Sequence, residues 1–110
     1  MPRDITSVPV HVVARVEDLR DWRGRVVRAG DRELAVFRQG DDVYALDNVC
    51  IHNGGPLGEA DVEDGCAVCP WHGWRYRLVD GRSPLNPDVG VRTYRAWIDE
   101  RGDVLVDVPT

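Results

Sequence analysis

The sequence predicts an all-β domain of small antiparallel sheets, arranged as a partly open barrel or a sandwich. Short runs rich in β-branched and aromatic residues recur along the 110-residue chain, and turn signals separate them. Gly40-Asp41 and residues 100–103 (ERGD) each lie between two such runs, as the turns of β-hairpins do. Helical character is confined to a single turn at residues 17–20 (EDLR). These observations leave little room for a helical or mixed architecture.

The predicted strands differ in composition but share a length typical of strands. The first two each contain a pair of adjacent valines, and the next two combine aliphatic residues with one aromatic residue. The fifth alternates aromatic residues with arginine and is closed by Asp80-Gly81, and the last two are again rich in β-branched or aromatic residues. In chain order they are residues 11–14, 25–28, 34–37, 43–46, 74–78, 93–98 and 104–108.

Residues 47–73 fit this strand pattern poorly. They are rich in glycine and contain all three cysteines, Cys50, Cys66 and Cys69. An odd number of cysteines in a chain without a recognisable export signal makes disulfides unexpected. A loop-rich insertion of this length inside a compact domain is usually functional. Metal ligation is therefore the leading use for at least two of the cysteines.

Two short pieces of this region each pair a cysteine with a histidine. Cys50-x-His52 is followed by sixteen residues and then by Cys69-x-x-His72. Four such ligands suit either zinc or an iron-sulfur cluster in which two cysteines hold one iron and two histidines hold the other. The Cys50-x-His52 spacing is shorter than the knuckle of a zinc ribbon. Neighbouring glycines let backbone N–H groups approach bridging sulfides, which a zinc site needs less; they are Gly54, Gly55 and Gly73.

The two pieces resemble the motif of the Rieske family, Cys-x-His followed by Cys-Pro-x-His-Gly. The likeness includes residues 54–57 (GGPL) and 71–74 (WHGW) and extends over nearly the whole chain. It implies a Rieske fold in one domain, residues 1–110, with a cluster-binding subdomain at about residues 47–87. It further implies one [2Fe-2S] cluster per chain, with Cys50 and Cys69 on the inner iron and His52 and His72 on the outer iron.

The resemblance also implies a third, proline-bearing loop that covers the cluster, at residues 83–87 (SPLNP). High-potential relatives carry an extra cysteine in each ligand loop and a serine that bonds a sulfide. The corresponding positions here hold Gly55, Trp71 and Trp74. We therefore expect a potential near the low end of the family range of about −150 to +300 mV. Tyr76 matches a tyrosine that bonds a cysteine sulfur in that group, and its hydroxyl is expected to raise the potential somewhat.

The function implied by this resemblance is one-electron transport rather than catalysis. The chain is similar to ferredoxin components that carry electrons from a flavin-dependent reductase to a terminal dioxygenase. Apolar contacts with a partner are expected around the histidine edge, at Pro56, Leu57 and Trp71. The alternative within the family is the small subunit of an assimilatory NAD(P)H nitrite reductase. A structural zinc module is a third interpretation, and it leaves the glycine and proline placement unexplained.

Cys66 admits two interpretations. It lies three residues before Cys69 and could form a zinc knuckle with it. A lone cysteine in a strand-like run such as residues 66–68 (CAV) is more often a small buried apolar residue. We favour the second interpretation.

Composition excludes other classes of function. The net charge of −5 includes no basic cluster, so a nucleic-acid partner is not expected. No apolar run reaches membrane length, and the first ten residues do not resemble a signal peptide, so we expect a cytoplasmic protein without a membrane partner. No pattern indicates a hydrolytic triad, a phosphate-binding glycine loop or a flavin or nicotinamide site.

Overall fold

The computed structural model describes residues 10–49, 54–71 and 73–108. These ranges contain nine strands and two short 3-10 turns, Val16–Asp18 and Leu57–Glu59. The strands are β1 (Val10–Arg15), β2 (Arg25–Ala29), β3 (Arg32–Gln39), β4 (Asp42–Asp47), β5 (Asp61–Glu63), β6 (Cys66–Val68), β7 (Arg75–Arg77), β8 (Thr93–Ile98) and β9 (Asp103–Asp107).

Six of the strands form one antiparallel sheet in the order β1-β9-β8-β4-β3-β2. The edge strands β1 and β2 also contact each other, so the sheet curls into a nearly closed barrel. Both predicted hairpins are present, β3-β4 and β8-β9. The all-β prediction is therefore confirmed.

A second sheet, in the order β5-β6-β7, is inserted between β4 and β8. Residues 47–73 are thus less irregular than the sequence suggested, because β5 and β6 form a hairpin within them. Asp64 and Gly65 make its turn with positive φ angles of 52° and 76°, as a tight two-residue hairpin requires. β7 then pairs with the other side of β6.

The strand β3 of the six-stranded sheet contributes to two cores, because its residues 34–37 are buried on both faces. Leu34 and Val36 point into the barrel core, whereas Ala35 and Phe37 belong to a second core. This second core lies between the barrel and the inserted sheet, and all of its buried members are less than one tenth exposed. They are Ala35, Phe37, Leu46, Leu57, Ala60, Ala67, Cys69, Tyr76, Leu78 and Val91.

Tyr94 joins β8 to the end of β4, close to the start of the first candidate ligand segment. Its hydroxyl donates to Asp47 Oδ1 at 2.6 Å and accepts a hydrogen bond from Arg32 Nη1 at 3.0 Å. The Arg92 guanidinium lies 5.0 Å from the ring centroid. Burial, and then the hydrogen bond to Asp47, raise the pKa of Tyr94.

We expect Tyr94→Phe to lower the free energy of unfolding by about 1 kcal/mol at neutral pH, because one partly buried hydrogen bond is lost. Above pH ~10, the ordinary pKa of tyrosine, Tyr94 ionises in the unfolded chain but not in the folded one. The wild type loses this part of its stability as the pH rises toward the raised pKa of the folded state, and the phenylalanine variant does not. Urea denaturation of both proteins between neutral pH and about pH 11 should show the difference shrinking. A constant difference would contradict the prediction.

Candidate metal centre

Of the four predicted ligands, Cys69 lies in the part of the chain that the structure describes. Cys69 directly follows β6, is 1% exposed and belongs to the second core. Cys50, His52 and His72 lie outside the described residues. The described part of the site consists of Cys69 and of the segments that flank the other three predicted ligands.

The second ligand loop is a tight connection between β6 and β7. The Cys69 carbonyl accepts a hydrogen bond from Gly73 N at 2.9 Å, and Cys69 N donates to the Trp74 carbonyl at 2.7 Å. Gly73 has a φ of +75°, which suits glycine, and among the described residues a Cβ added there would meet no atom within 4 Å. Trp71, two residues after the buried Cys69, is 57% exposed. The loop thus runs from the core to the surface within two residues.

The ends of the first ligand segment are held side by side. Asn48 accepts a hydrogen bond at its carbonyl from Leu57 N at 2.6 Å. Val49 and Pro56, one residue further along on each side, form an isolated antiparallel bridge. Leu57 is fully buried in the same core as Cys69. Leu57, at the end of the first segment, and Cys69, at the start of the second loop, therefore lie in the same core.

The third segment, residues 83–89, faces the second loop across a surface pocket. Ser83 N donates to the Val89 carbonyl at 2.8 Å, and Arg82 Nη1 donates to the Pro87 carbonyl at 2.7 Å. A surface pocket of about 250 Å³ separates this segment from the second loop. The pocket is lined by Gly73, Trp74, Arg75, Ser83, Pro84, Leu85, Asn86 and Val89. The proline-bearing segment predicted from the sequence is thus adjacent to the candidate site.

Three apolar residues were predicted to contact a partner around the histidine edge, and one of these predictions is wrong. Leu57 is fully buried, so its side chain cannot contact a partner. Trp71 is exposed as expected, and Pro56 is partly exposed. Leu85, in the proline-bearing segment at residues 83–87, was not predicted as an apolar contact, and it is 94% exposed. Its place in a loop between Pro84 and Asn86 was the available signal for this exposure, since an apolar residue in such a loop has no strand face on which to be buried.

Cys66 and Tyr76 are both buried near Cys69 but occupy different settings. Cys66 is 7% exposed on β6, opposite Arg77 of β7 in the sheet register, and burial raises the pKa of its thiol. This placement supports the interpretation of Cys66 as a small buried residue. Tyr76 is fully buried and belongs to the second core together with Cys69.

The comparison with known families decides the identity of this arrangement. The model of the Rieske [2Fe-2S] domain matches residues 9–95. The chain belongs to the Rieske [2Fe-2S] domain family. Domains of this family bind a [2Fe-2S] cluster. The residues present fit that cofactor, because the family's Cys-Pro-x-His-Gly motif begins at a buried thiol and ends at Gly73, where no other described residue would contact an added Cβ.

The relatives of this Rieske chain include a dioxygenase ferredoxin subunit, a nitrite reductase large subunit and the oxygenase component of a monooxygenase. The chain is 36% identical over 69 residues to the anthranilate 1,2-dioxygenase ferredoxin subunit of Burkholderia cepacia. The aligned region covers 63% of this chain and 64% of that protein. The chain thus spans less than two thirds of this relative's length, and 57% of a human Rieske domain-containing protein that it also matches.

The solved structures that superpose on this chain include a nitrite reductase small subunit and a dioxygenase ferredoxin. The putative NADH-dependent nitrite reductase small subunit of Mycobacterium tuberculosis superposes with a TM-score of 0.83 at 26% identity, covering 92% of this chain and 96% of that one. The ferredoxin of carbazole 1,9a-dioxygenase from Nocardioides aromaticivorans IC177 gives a TM-score of 0.82 at 26% identity, covering 91% and 98%. These neighbours have the fold of Rieske ferredoxins, as the sequence predicted.

None of the helices in the described ranges has the length and apolar character needed to cross a bilayer.

Proposed function

We propose that this Rieske chain is a one-electron carrier whose [2Fe-2S] cluster is ligated by Cys50, Cys69, His52 and His72. The observation that carries this proposal is the course of the second loop, from Cys69 at 1% exposure to Trp71 at 57% exposure. A ligand set that begins at a buried thiol and continues toward the surface holds the cofactor inside and gives the electron a short exit. The ligand-bearing subdomain would span residues 47–87, in a single domain of residues 1–110.

When bound, such a cluster takes up and releases one electron, at a potential raised by its neutral imidazole ligands. The rest of the chain tunes this potential through hydrogen bonds and exclusion of solvent. Gly55, Trp71 and Trp74 supply neither a serine hydroxyl nor a second pair of cysteines. We therefore place the potential toward the low end of the family range, which spans about −150 to +300 mV.

The partners we propose are a flavin-dependent reductase as donor and a terminal oxygenase as acceptor. Similarity to the ferredoxins of anthranilate and carbazole dioxygenases supports this assignment. The protein would act in the cytoplasm, as a carrier that performs no catalysis of its own. The second candidate is the small subunit of an NAD(P)H nitrite reductase, and the nitrite reductase small subunit with a TM-score of 0.83 favours it.

The first experiment is EPR spectroscopy of anaerobically purified protein after reduction with dithionite. We expect a Rieske-type signal whose average g is below that of an all-thiolate cluster, because imidazole replaces two of the thiolates. Protein that contains zinc, lacks sulfide and gives no signal would contradict the proposal and leave a structural zinc module.

Co-purification then separates the two candidate systems. A weak complex that dissociates with added salt, together with electron delivery to an oxygenase in a reconstituted assay, is expected for a carrier. A stable complex with a sirohaem protein would contradict the oxygenase assignment and establish the nitrite reductase subunit.

We expect Tyr76→Phe to lower the reduction potential of the cluster. Tyr76 is fully buried in the core that contains Cys69, where a hydroxyl that donates toward a ligand sulfur stabilises the reduced, more negative state. Protein-film voltammetry measures the shift. Tyr94→Phe is the matched control, because Tyr94 lies in the barrel core instead. An unchanged reduction potential in Tyr76→Phe would show that the Tyr76 hydroxyl does not affect the cluster.

A further inference from the structure

Asn48 is a buried polar residue at the point where the chain leaves the barrel. It directly follows β4, precedes Cys50 by two residues and is 4% exposed. Its side-chain Nδ2 donates to Glu33 Oε1 at 2.7 Å, and its Oδ1 accepts from Gly58 N at 2.7 Å. Because the Gly58 backbone nitrogen can only donate, it fixes which end of the amide faces Glu33. The amide is therefore used as a donor on one side and an acceptor on the other.

These bonds connect Asn48 to the exposed Glu33 of β3 and to Gly58 of the 3-10 turn. Glu33 lies on β3, in register with Arg28 of β2 and thus within the barrel sheet. Gly58 is packed against β2 so closely that an added Cβ would lie 2.7 Å from Val26 N and 2.8 Å from Val26 Cα. The 3-10 turn Leu57–Glu59 is therefore held between the barrel backbone and Asn48.

Asparagine is the side chain that this position requires. Aspartate accepts hydrogen bonds but does not donate when it is ionised, and a buried apolar residue would leave Gly58 N without its acceptor. Glutamine carries the same amide on a side chain one carbon longer. The Asn48 amide therefore suits both of its partners, because it donates to the Glu33 carboxylate and accepts from Gly58 N.

We propose that Asn48 is a positioning residue for the cluster: with Glu33 and Gly58 it fixes both ends of the first ligand segment to the barrel. The proposal rests on the proposed function, because it takes Cys50 and His52 as ligands. The role proposed for Asn48 is to hold the chain rather than to bind the cluster. It sets where the chain departs toward Cys50 and where it returns at Leu57, and so limits how far the first segment can shift relative to Cys69.

A swap of the hydrogen-bonding pair tests this. Asn48→Asp keeps an acceptor for Gly58 N but places a carboxylate against Glu33. Adding Glu33→Gln restores a donor and an acceptor in reversed order, with the net charge of the wild type. We expect Asn48→Asp to lose its cluster to an iron(II) chelator about tenfold faster than the wild type, since a charge-assisted hydrogen bond is replaced by a repulsion. The double variant should return to within about twofold of the wild-type rate.

Two controls keep the outcomes separate. Glu33→Gln alone should release the cluster within about twofold of the wild-type rate, because a glutamine carbonyl still accepts from Asn48. EPR of the reduced proteins should show g values altered in Asn48→Asp and restored in the double variant, a readout that a general loss of stability does not move. Asn48→Asp with a lower thermal midpoint but unchanged release rate and g values would make Asn48 a fold determinant only and overturn the proposal.

Failure of this inference is distinguishable from failure of the proposed function. A double variant that releases its cluster as fast as Asn48→Asp overturns the role of the Asn48–Glu33 pair while leaving the electron-carrier proposal intact. Wild-type protein without a Rieske-type signal overturns the proposed function itself, before any variant is compared.

Discussion

Replacing Cys69 with alanine is expected to abolish binding of the [2Fe-2S] cluster, whereas the same replacement at Cys66 leaves the cluster content unchanged. The two cysteines are three residues apart and both are buried, at 1% and 7% exposure. They differ in what surrounds them, because Cys69 begins the loop that leads to Trp71 and Cys66 lies within β6. An iron that loses one of two thiolate ligands is not retained by the remaining three groups.

Iron and acid-labile sulfide per chain, together with the EPR signal, measure the outcome. Far-UV circular dichroism of both variants checks that the fold survives, since the barrel core does not include either cysteine. Full cluster content in Cys69→Ala would show that the ligand set is assigned wrongly. Loss of metal in Cys66→Ala would instead revive the zinc knuckle between Cys66 and Cys69.

Gly81→Ala is expected to lower the free energy of unfolding by about 2–5 kcal/mol. Gly81 has a φ of +73°, its N–H donates to the Arg77 carbonyl at 2.7 Å, and its carbonyl accepts from Val91 N at 2.9 Å. An added Cβ would collide with the Val91 carbonyl oxygen and lie 3.0 Å from Thr93 Cγ2. The left-handed conformation costs a non-glycine residue about 1–2 kcal/mol, and overpacking adds about 1–3 kcal/mol.

Gly40→Ala provides the matched control for this prediction. Gly40 also has a positive φ, +65°, but a Cβ added there would meet nothing within 4 Å. It should therefore incur the conformational cost alone, about 1–2 kcal/mol. Equilibrium urea denaturation compares the two variants. Equal destabilisation would mean that the chain around Val91 moves aside without cost and that the proline-bearing segment is not held firmly at its base.

The sequence predicts the barrel well because its strands carry their own signals. Residues 93–98 match β8 without a shift, and the turn at residues 100–103 contains Gly102 with a φ of +83°. The strand β5 was missed, because Asp61–Glu63 contains one apolar residue between two acids and gains its structure by pairing with β6. Local composition does not report a partner strand that forms only in the folded chain.

The site shows the same division between local and long-range information. The resemblance implies that Cys69 holds the inner iron, and Cys69 is 1% exposed in the structure, while all four ligand assignments stay predictions. The burial of Leu57 was not predictable from its neighbours, since it is decided by packing in the second core. The role of Asn48 was equally hidden, because its partners Glu33 and Gly58 are 15 and 10 residues away in sequence.

The double-sided burial of β3 makes the core around Cys69 costly to open. Leu34 and Val36 belong to one core and Ala35 and Phe37 to the other, so opening the second core would expose Ala35 and Phe37 to water while the other face of the strand stays in the barrel core. The second core therefore cannot open as an independent foldon at a small free-energy cost. The Cys69 thiolate, proposed above as a ligand, would therefore leave iron only after a costly opening of this core, which suits a carrier that must survive many cycles of reduction and oxidation.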